Sequence, residues 1–370
     1  MSPEDFMGRA IALARRGEGR TAPNPCVGAV LVRDGAIVAE GWHTAWGRPH
    51  AEVEALADAR RKNVNPADCT LFVTLEPCNH RGKTPPCTQA ILDAGIREVA
   101  VGCADPNPEV TGGGADFLRA RGVTVRMGVR ERECRDLIAD FRIWQTTDRP
   151  FSIVKLATTL DGRIAARTGQ TAWISGEASR REVHRLRSWC GAVMVGGETF
   201  RTDNPRLTCR LPGYEGPEPL AVVVTRRLPE TLRDHILLAE GAERAIFWTS
   251  PDQARSGRAT RLKELGAAVW GLPEGGHGLD LVEGMHRLRR DRNCHYVLAE
   301  GGGRLAASLR IQGLMDELRI FQAMKILGDE EGRPVFAGRG AISMEECWNF
   351  RLVEQSFHGT DLYLRLHPEE

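Results

Sequence analysis

The residues that could do chemistry in the first half of the chain lie close to two short motifs. His50-Ala51-Glu52 is followed by Pro77-Cys78, and eight residues separate Cys78 from Cys87. One imidazole and two thiols can occupy three corners of a tetrahedral zinc site, and a fourth position left open for water is typical of catalytic zinc. Zinc lowers the pKa of bound water to about 7. Glu52, two residues from the histidine, could then move the protons.

The combined pattern is more specific than either of its parts. A His-x-Glu sequence is common, and a cysteine pair alone could be a structural metal site or two buried thiols. Zinc base deaminases combine H-x-E with P-C-x-x-C, whereas the cysteine spacing here is longer. With Glu-Pro before Cys78 and Pro-Pro before Cys87, the residues in this order predict a catalytic zinc site.

Length and composition limit the kind of protein that this sequence can be. A chain of 370 residues is expected to form two domains. We place them at residues 1–148 and 149–370, because the stretch 144–150 is polar and ends in proline. The predicted architecture is α/β. The first half alternates helical and strand patterns in layers, and the second has apolar runs typical of a largely parallel sheet.

Charge and cysteine usage bear on partners and compartment. The net charge of +1 provides no global field for nucleic acid or an anionic membrane, so we expect neither partner. The acidic start lacks a signal peptide, and no apolar run approaches the ~18 residues of a membrane span. The ten cysteines are spread along the chain, and we expect reduced thiols and a cytoplasmic protein.

Several side chains allow two interpretations. Asn24, between two prolines, is either a turn residue or a carboxamide that pairs with a pyrimidine edge. The basic loop that contains Lys83 and Thr84 is either solvated or, as we favour, a phosphate-binding loop. Lys155 indicates either an edge strand or a charge at the carboxyl end of a strand, where α/β proteins bind ligands.

The second half carries a weak nucleotide-binding signal. A strand runs into three glycines, 301–303, and then a helix, which would let backbone N–H groups approach a pyrophosphate. The sequence contains no G-x-G-x-x-G, which counts against an ordinary Rossmann domain. The pair Arg226-Arg227 at a strand end is either solvated or placed to meet the 2′-phosphate of NADP.

The motifs of the first half resemble those of a known family. His50-Ala51-Glu52, Glu76-Pro77-Cys78-Asn79-His80 and Lys83-Thr84-Pro85-Pro86-Cys87, with Asn24-Pro25 upstream, resemble the deaminase half of the bifunctional riboflavin-biosynthesis deaminase/reductases. The resemblance implies a cytidine-deaminase-like α/β/α fold. It implies zinc on His50, Cys78 and Cys87, catalysis by Glu52, and substrate contacts from Asn24, Lys83 and Thr84. The family has serine where this chain has Asn79.

The second half is similar to the reductase domain of the same family, through Lys155-Leu156-Ala157, Trp173-Ile174-Ser175, residues 202–208 and Glu300-Gly301-Gly302. The implied fold is dihydrofolate-reductase-like. The implied substrate contacts are Thr171, Arg187, Leu207, Arg210 and Glu300. The implied NADP(H) contacts are Thr158, Trp173, Thr199, Asp203, Arg226, Gly302, Gly303, Arg304 and Leu305. The chain departs from the family at Gly303-Arg304, where Pro-Thr is usual, and at Arg226, where serine is expected.

The implied activity has two steps. The first is zinc-dependent deamination of 2,5-diamino-6-(5-phosphoribosylamino)pyrimidin-4(3H)-one, and the second is NADPH reduction of the ribosyl side chain to ribityl. The family suggests a homo-oligomer, a dimer or larger. Two other hypotheses remain at this point: a deaminase of nucleic acid, and a deaminase whose second half binds nucleotides only as a regulator.

Overall fold

The structure is a computed structural model that describes residues 1–79, 85–107, 113–169, 173–338 and 341–369. The chain folds into two compact units, Met1–Thr147 and Asp148–Glu370. Each unit has its own sheet and its own hydrophobic core.

The first unit is a mixed sheet in the order β2-β1-β3-β4-β5 with helices packed against it. Its strands are β1 (Gly28–Arg33), β2 (Ala36–Trp42), β3 (Thr70–Leu75), β4 (Glu98–Cys103) and β5 (Thr124–Arg126). Its helices are α1 (Pro3–Ala14), α2 (Ala51–Arg61), α3 (Cys87–Asp93), α4 (Gly114–Arg119), α5 (Glu131–Leu137) and α6 (Ala139–Thr146). The β1–β2 hairpin turns at Asp34-Gly35, and β3 and β4 are parallel.

A close approach between α2 and β2 positions the start of α2. A Cβ atom on Gly41 would lie 2.3 Å from the backbone nitrogen of Ala55 and 2.4 Å from the carbonyl oxygen of Ala51. Glycine therefore lets the helix backbone lie directly on the strand. Ala51, Ala55 and Ala59 supply a small buried face for the same contact. This packing holds His50, which precedes α2, at one edge of the sheet.

The second unit contains a larger sheet in the order β11-β10-β9-β8-β14-β6-β15-β18-β17. Its strands are β6 (Phe151–Thr158), β7 (Arg163–Ala165), β8 (Ala192–Gly196), β9 (Leu220–Val224), β10 (Ala245–Thr249), β11 (Ala268–Gly271), β12 (Glu274–Gly275), β13 (Gly278–Leu279), β14 (Tyr296–Glu300), β15 (Glu317–Gln322), β16 (Arg333–Pro334), β17 (Phe350–His358) and β18 (Asp361–Pro368). Its helices are α7 (Glu177–Arg187), α8 (Gly197–Asp203), α9 (Ile236–Gly241), α10 (Pro251–Ala254), α11 (Gly257–Glu264), α12 (Leu281–Arg292) and α13 (Gly303–Ile311).

The strands from β11 to β15 in that order are parallel, which confirms the predicted parallel sheet, and β18 and β17 extend it antiparallel. The edge-strand interpretation of Lys155 is wrong, because β6 lies between β14 and β15 in the interior of the sheet. Its apolar residues Val154 and Leu156 are buried in the core. Lys155 lies near the carboxyl end of β6, where parallel sheets bind ligands.

Two further observations concern the whole chain. Over the described ranges, none of the helices has the length and apolar character needed to cross a membrane. All ten cysteines are free thiols, and all except Cys78 and Cys347 are buried.

Candidate active sites

The predicted zinc ligands come together at the edge of the first sheet. His50 precedes α2, Cys78 follows β3, and Cys87 is the first residue of α3. The Nδ1 atom of His50 lies 3.6 Å from the Cys78 sulfur and 3.3 Å from the Cys87 sulfur. All three ligand atoms lie within 4.8 Å of one another.

This donor set fits zinc. With Zn–S of about 2.3 Å and Zn–N of about 2.0–2.1 Å, tetrahedral geometry separates S and N by about 3.6 Å, close to the separations from His50 to the two sulfurs. The backbone N–H of Cys87 donates to the Cys78 sulfur at 3.3 Å, which favours a thiolate. The hydrogen bond with the Cys87 thiol is the main cause that lowers the pKa of Cys78, to about 4. The same interaction raises the pKa of Cys87, so the two sulfurs share one proton in the absence of a metal.

Glu52 lies in the first turn of α2, next to this donor set. It is 3% exposed, and burial together with the nearby Cys78 charge raises its pKa to about 7. A general acid–base works best when its pKa is near the operating pH. The structure therefore places a buried carboxyl group in the same pocket lining as His50 and Cys78.

Two of the three predicted zinc ligands, His50 and Cys78, line a pocket of about 320 Å³. Its lining includes Asn24, His50, Glu52 and Cys78, so the structure brings the described deaminase residues together. Lys83 and Thr84 lie outside the described residues. Asn79, where the family has serine, accepts a hydrogen bond from Thr88 at 2.9 Å and does not line the pocket.

Sequence reasoning missed several lining residues of this pocket, namely His43, Trp46, Arg48, Glu76, Asp105, Asn107, Phe141 and Gln145. Glu76 accepts the backbone N–H groups of Asp105 at 3.3 Å and Ala115 at 2.9 Å, which holds the chain after β4 at the pocket. The Glu-Pro that precedes Cys78 was the available signal for Glu76. Burial lowers the pKa of His43, which favours a neutral imidazole.

The second unit has a cleft of about 1380 Å³ at the carboxyl ends of β6, β8, β9 and β14. Most of the predicted reductase residues line it: Trp173, Arg187, Thr199, Asp203, Leu207, Arg210, Arg226, Glu300, Gly302, Gly303, Arg304 and Leu305. Thr158 is 4% exposed and does not line the cleft; its hydroxyl donates to the carbonyl oxygen of Thr159 at 3.1 Å. Thr171 lies outside the described residues.

A buried ion pair forms one wall of the cleft. Arg187 donates to Glu300 through Nε at 2.5 Å and Nη2 at 2.7 Å, and its Nη1 donates to the carbonyl oxygen of Thr208. The fork of Arg187 is thus already occupied by Glu300. Among the described residues, the guanidinium of Arg210 makes one hydrogen bond, to Thr208 Oγ1 at 3.1 Å. Arg210 therefore has more free donors for a ligand than Arg187.

The glycines after β14 shape another wall. Gly301 and Gly302 have φ of +74° and +83°, and a Cβ atom on Gly303 would lie 2.8 Å from the carbonyl oxygen of Pro334. The tight turn places the first amides of α13 at the cleft, an arrangement that suits a pyrophosphate. Together with the cationic Arg304 and the size of the cleft, these residues fit a dinucleotide such as NADP(H).

Arg226 is exposed at the rim of the cleft and pairs with Glu274 at 3.2 Å. The solvated and phosphate-binding interpretations are both compatible with this position, because an exposed pair is weak and exchanges easily. Sequence reasoning missed Arg180, whose guanidinium lies 4.4 Å from the Trp173 ring centroid at the same cleft. Burial lowers the pKa of Lys155, which also lines the cleft.

Comparison with known proteins finds one family model in each half of the chain. Residues 1–103 match the family model "Cytidine and deoxycytidylate deaminase zinc-binding region", and residues 150–364 match "RibD C-terminal domain". The riboflavin biosynthesis protein RibD of Aquifex aeolicus is 38% identical over 361 residues, which cover 98% of this chain and 97% of that protein. The chain belongs to the RibD family.

Other members agree over nearly the full length. RibD of Synechocystis sp. is 39% identical, covering 98% of this chain and 93% of that protein. The crystal structure of a diaminohydroxyphosphoribosylaminopyrimidine deaminase/5-amino-6-(5-phosphoribosylamino)uracil reductase from Thermotoga maritima is 37% identical, with a TM-score of 0.76 over 99% of this chain and 98% of that one.

Membership of the RibD family confirms the main expectations from the sequence. The chain is a bifunctional riboflavin-biosynthesis enzyme with a zinc-binding deaminase domain and a reductase domain, and its cofactors are Zn²⁺ and NADP(H). The cytidine-deaminase-like and reductase folds are likewise confirmed. The two competing hypotheses, a nucleic-acid deaminase and a regulatory second half, are therefore set aside.

Proposed function

We propose that the first unit deaminates 2,5-diamino-6-(5-phosphoribosylamino)pyrimidin-4(3H)-one to 5-amino-6-(5-phosphoribosylamino)uracil, and that the second unit reduces the ribosyl group of that product with NADPH. The observation that carries the proposal is that the ligand atoms of His50, Cys78 and Cys87 lie within 4.8 Å of one another beside a pocket of about 320 Å³ lined by His50, Cys78 and Glu52. That volume suits a small phosphorylated pyrimidine.

In the deaminase, His50, Cys78 and Cys87 would hold the metal. When bound, zinc supplies an activated water and a Lewis acid. Glu52 would accept one proton of that water and deliver it to the ring nitrogen, and it would then carry the second proton from the same oxygen to the amino group, which leaves as ammonia when the C–N bond breaks. Its position supports this role, because the buried carboxyl group lies in the first turn of α2 and lines the same pocket as His50 and Cys78.

The substrate phosphate is assigned to the mouth of the same pocket. Lys83 and Thr84 stand in the motif that suggested a phosphate-binding loop. Among the described residues, Arg48 is exposed in the pocket lining and adds a cation there. Asn24 contacts the pyrimidine from the opposite segment, before β1.

In the reductase, Arg187 and Glu300 together form a rigid polar wall for the sugar, while Arg210 reaches the phosphate. NADPH supplies the hydride when bound. Lys155 and Asp203 are the candidate proton donors, and both line the cleft. Burial lowers the pKa of Lys155 and raises that of Asp203, so each shift brings the pKa closer to neutral pH.

We assign the cofactor to the wall of the cleft formed by the glycines that follow β14. Gly302, Gly303, Arg304 and Leu305 line it where α13 begins and take the pyrophosphate, and Thr199 and Asp203 line it from α8. Trp173 and Arg226, which also line the cleft, are the remaining residues assigned to NADP(H). Thr158 acts only indirectly in this proposal, because it is buried behind the cleft lining.

We also propose that the two activities belong to residues 1–148 and 149–370, and that the enzyme forms a homo-oligomer in the cytoplasm. Two apolar side chains on the sheet-edge strand β17 support self-association, since Leu352 is 48% and Phe357 69% exposed. A reducing compartment suits the thiolate ligands of the zinc site.

Order-of-addition experiments test the two-step activity. The enzyme is incubated with the diaminopyrimidine phosphate, first without NADPH and then with it, and products are followed by mass spectrometry. Exchange of one amino group for oxygen is expected in the first stage, and a gain of two hydrogens only in the second. Reduction before any ammonia is released would contradict the proposed order.

A further inference from the structure

His43 connects the deaminase metal site to the substrate-facing side chain of Asn24. It follows β2, is 2% exposed, and lines the pocket. Its ring meets that of His50 edge-on, with centroids 5.4 Å apart. His43 is not a member of the metal-binding donor set, so its burial beside that set calls for another explanation.

The hydrogen bonds of His43 determine which ring nitrogen carries the proton. Nδ1 lies 3.0 Å from the carbonyl oxygen of Pro49. A carbonyl oxygen only accepts, so Nδ1 must be the donor. In a neutral imidazole the other nitrogen, Nε2, is then an acceptor. The carbonyl that fixes this tautomer belongs to the residue just before the zinc ligand His50.

The tautomer of His43 in turn fixes the carboxamide of Asn24. Nε2 lies 3.3 Å from Asn24 Nδ2. The amide NH₂ must donate to it, because the flipped amide would set two acceptors against each other. Asn24 is half-buried at the pocket, and within the described residues its Oδ1 receives no protein donor. The oxygen is left for a ligand.

We propose that His43 is a positioning residue of the deaminase: as the Nδ1–H tautomer it accepts from Asn24 and holds the carboxamide with Oδ1 toward the substrate. Asn24 then recognises a hydrogen-bond donor, such as a pyrimidine N–H, and not an acceptor. The inference rests on the proposed deaminase function. An asparagine side chain can in general donate or accept, and the inference assigns Asn24 the role of acceptor toward the substrate.

A double-mutant cycle tests the coupling. His43→Phe keeps a buried ring but removes the acceptor, and kcat/KM for ammonia release should fall about 3- to 10-fold, the equivalent of one neutral hydrogen bond. In the Asn24→Ala background the same change should cost less than about twofold. Zinc content should remain full in each variant. His286→Phe, on α12 of the other unit, is a matched control that should leave deamination unchanged.

An equal loss from His43→Phe in both backgrounds would mean a purely structural role and would overturn the proposal. A second measurement needs neither substrate nor a folded Phe variant. In the zinc-loaded full-length chain with ¹⁵N-labelled histidines, long-range ¹H–¹⁵N correlation should show His43 with a proton on Nδ1 alone. A proton on Nε2 would overturn the proposal. If the unmutated enzyme released no ammonia, the proposed function would fail, while this spectrum would still decide the tautomer.

Discussion

Replacing Glu52 with glutamine removes a proton-transfer group and changes little else. The side chain is 3% exposed beside the zinc ligands, and glutamine has nearly the same volume, so packing should be preserved. The loss should therefore equal the contribution of a general acid–base, about 10²- to 10⁴-fold in kcat. This corresponds to about 2.7–5.5 kcal/mol in the activation barrier.

The assay compares ammonia release from the diaminopyrimidine phosphate with zinc content measured by elemental analysis. The second unit is an internal control, because NADPH oxidation with the deaminated product should be unchanged in the same molecule. Glu54→Gln, also on α2 but outside the pocket lining, is the matched variant and should keep full activity. Deamination within about tenfold of the unmutated rate, with full zinc, would refute the assignment of proton transfer to Glu52.

Four further predictions concern the two sites and the buried groups around them. Cys87→Ser should lose zinc, whereas Cys347→Ser, at an exposed thiol, should keep it; full zinc in the first variant by elemental analysis would exclude Cys87 as a ligand. Chelation of zinc should abolish ammonia release but leave NADPH oxidation with the deaminated product intact, and parallel loss of both activities would argue against separate sites. Glu300→Ala should lower the free energy of unfolding of the second unit by about 3–5 kcal/mol, because Arg187 is left buried without its partner; a loss below about 1 kcal/mol in denaturant titrations would contradict this. Burial is the main cause that lowers the pKa of His184 from 6.5 to about 4, so the unfolded state binds more protons between these values and stability should fall as pH drops through that range; His184→Gln should flatten the profile.

The sequence could predict which residues of the proposed zinc site come together, because each of the three is tied to a local signal. His50 stands at a helix start, Cys78 just beyond an apolar strand, and Cys87 at the next helix start, so each position follows from neighbouring residues. A catalytic zinc needs three protein ligands, so the hypothesis of a zinc site predicted that these three side chains lie close together.

Relations between distant residues could not be derived in the same way. Lys155 gave no indication of strand order, and only the pairing of β6 with β14 and β15 shows that it is interior. Arg187 and Glu300 are 113 positions apart, so their bidentate pairing needed the folded sheet. The hydrogen bonds from His43 to Pro49 and Asn24 likewise depend on the packing of three segments.

The C-terminal strands were missed for a different reason. The stretch that forms β17 mixes apolar, charged and polar side chains on both faces, because it lies at the edge of the sheet and buries little. Period-2 patterns are clear only where one face is buried. β18 pairs antiparallel with β15, and β17 pairs antiparallel with β18; hydrophobicity does not show these ladders.

X-ray absorption at the zinc edge of the full-length enzyme shows whether one metal ion joins His50, Cys78 and Cys87. We predict one zinc per chain with two sulfur ligands at about 2.3 Å and nitrogen or oxygen ligands at about 2.0–2.2 Å. His50→Ala and Cys78→Ala, which each remove one of the three ligands, should lose the zinc signal as Cys87→Ser does. A shell of four sulfurs, or zinc without sulfur ligands, would contradict the proposed site.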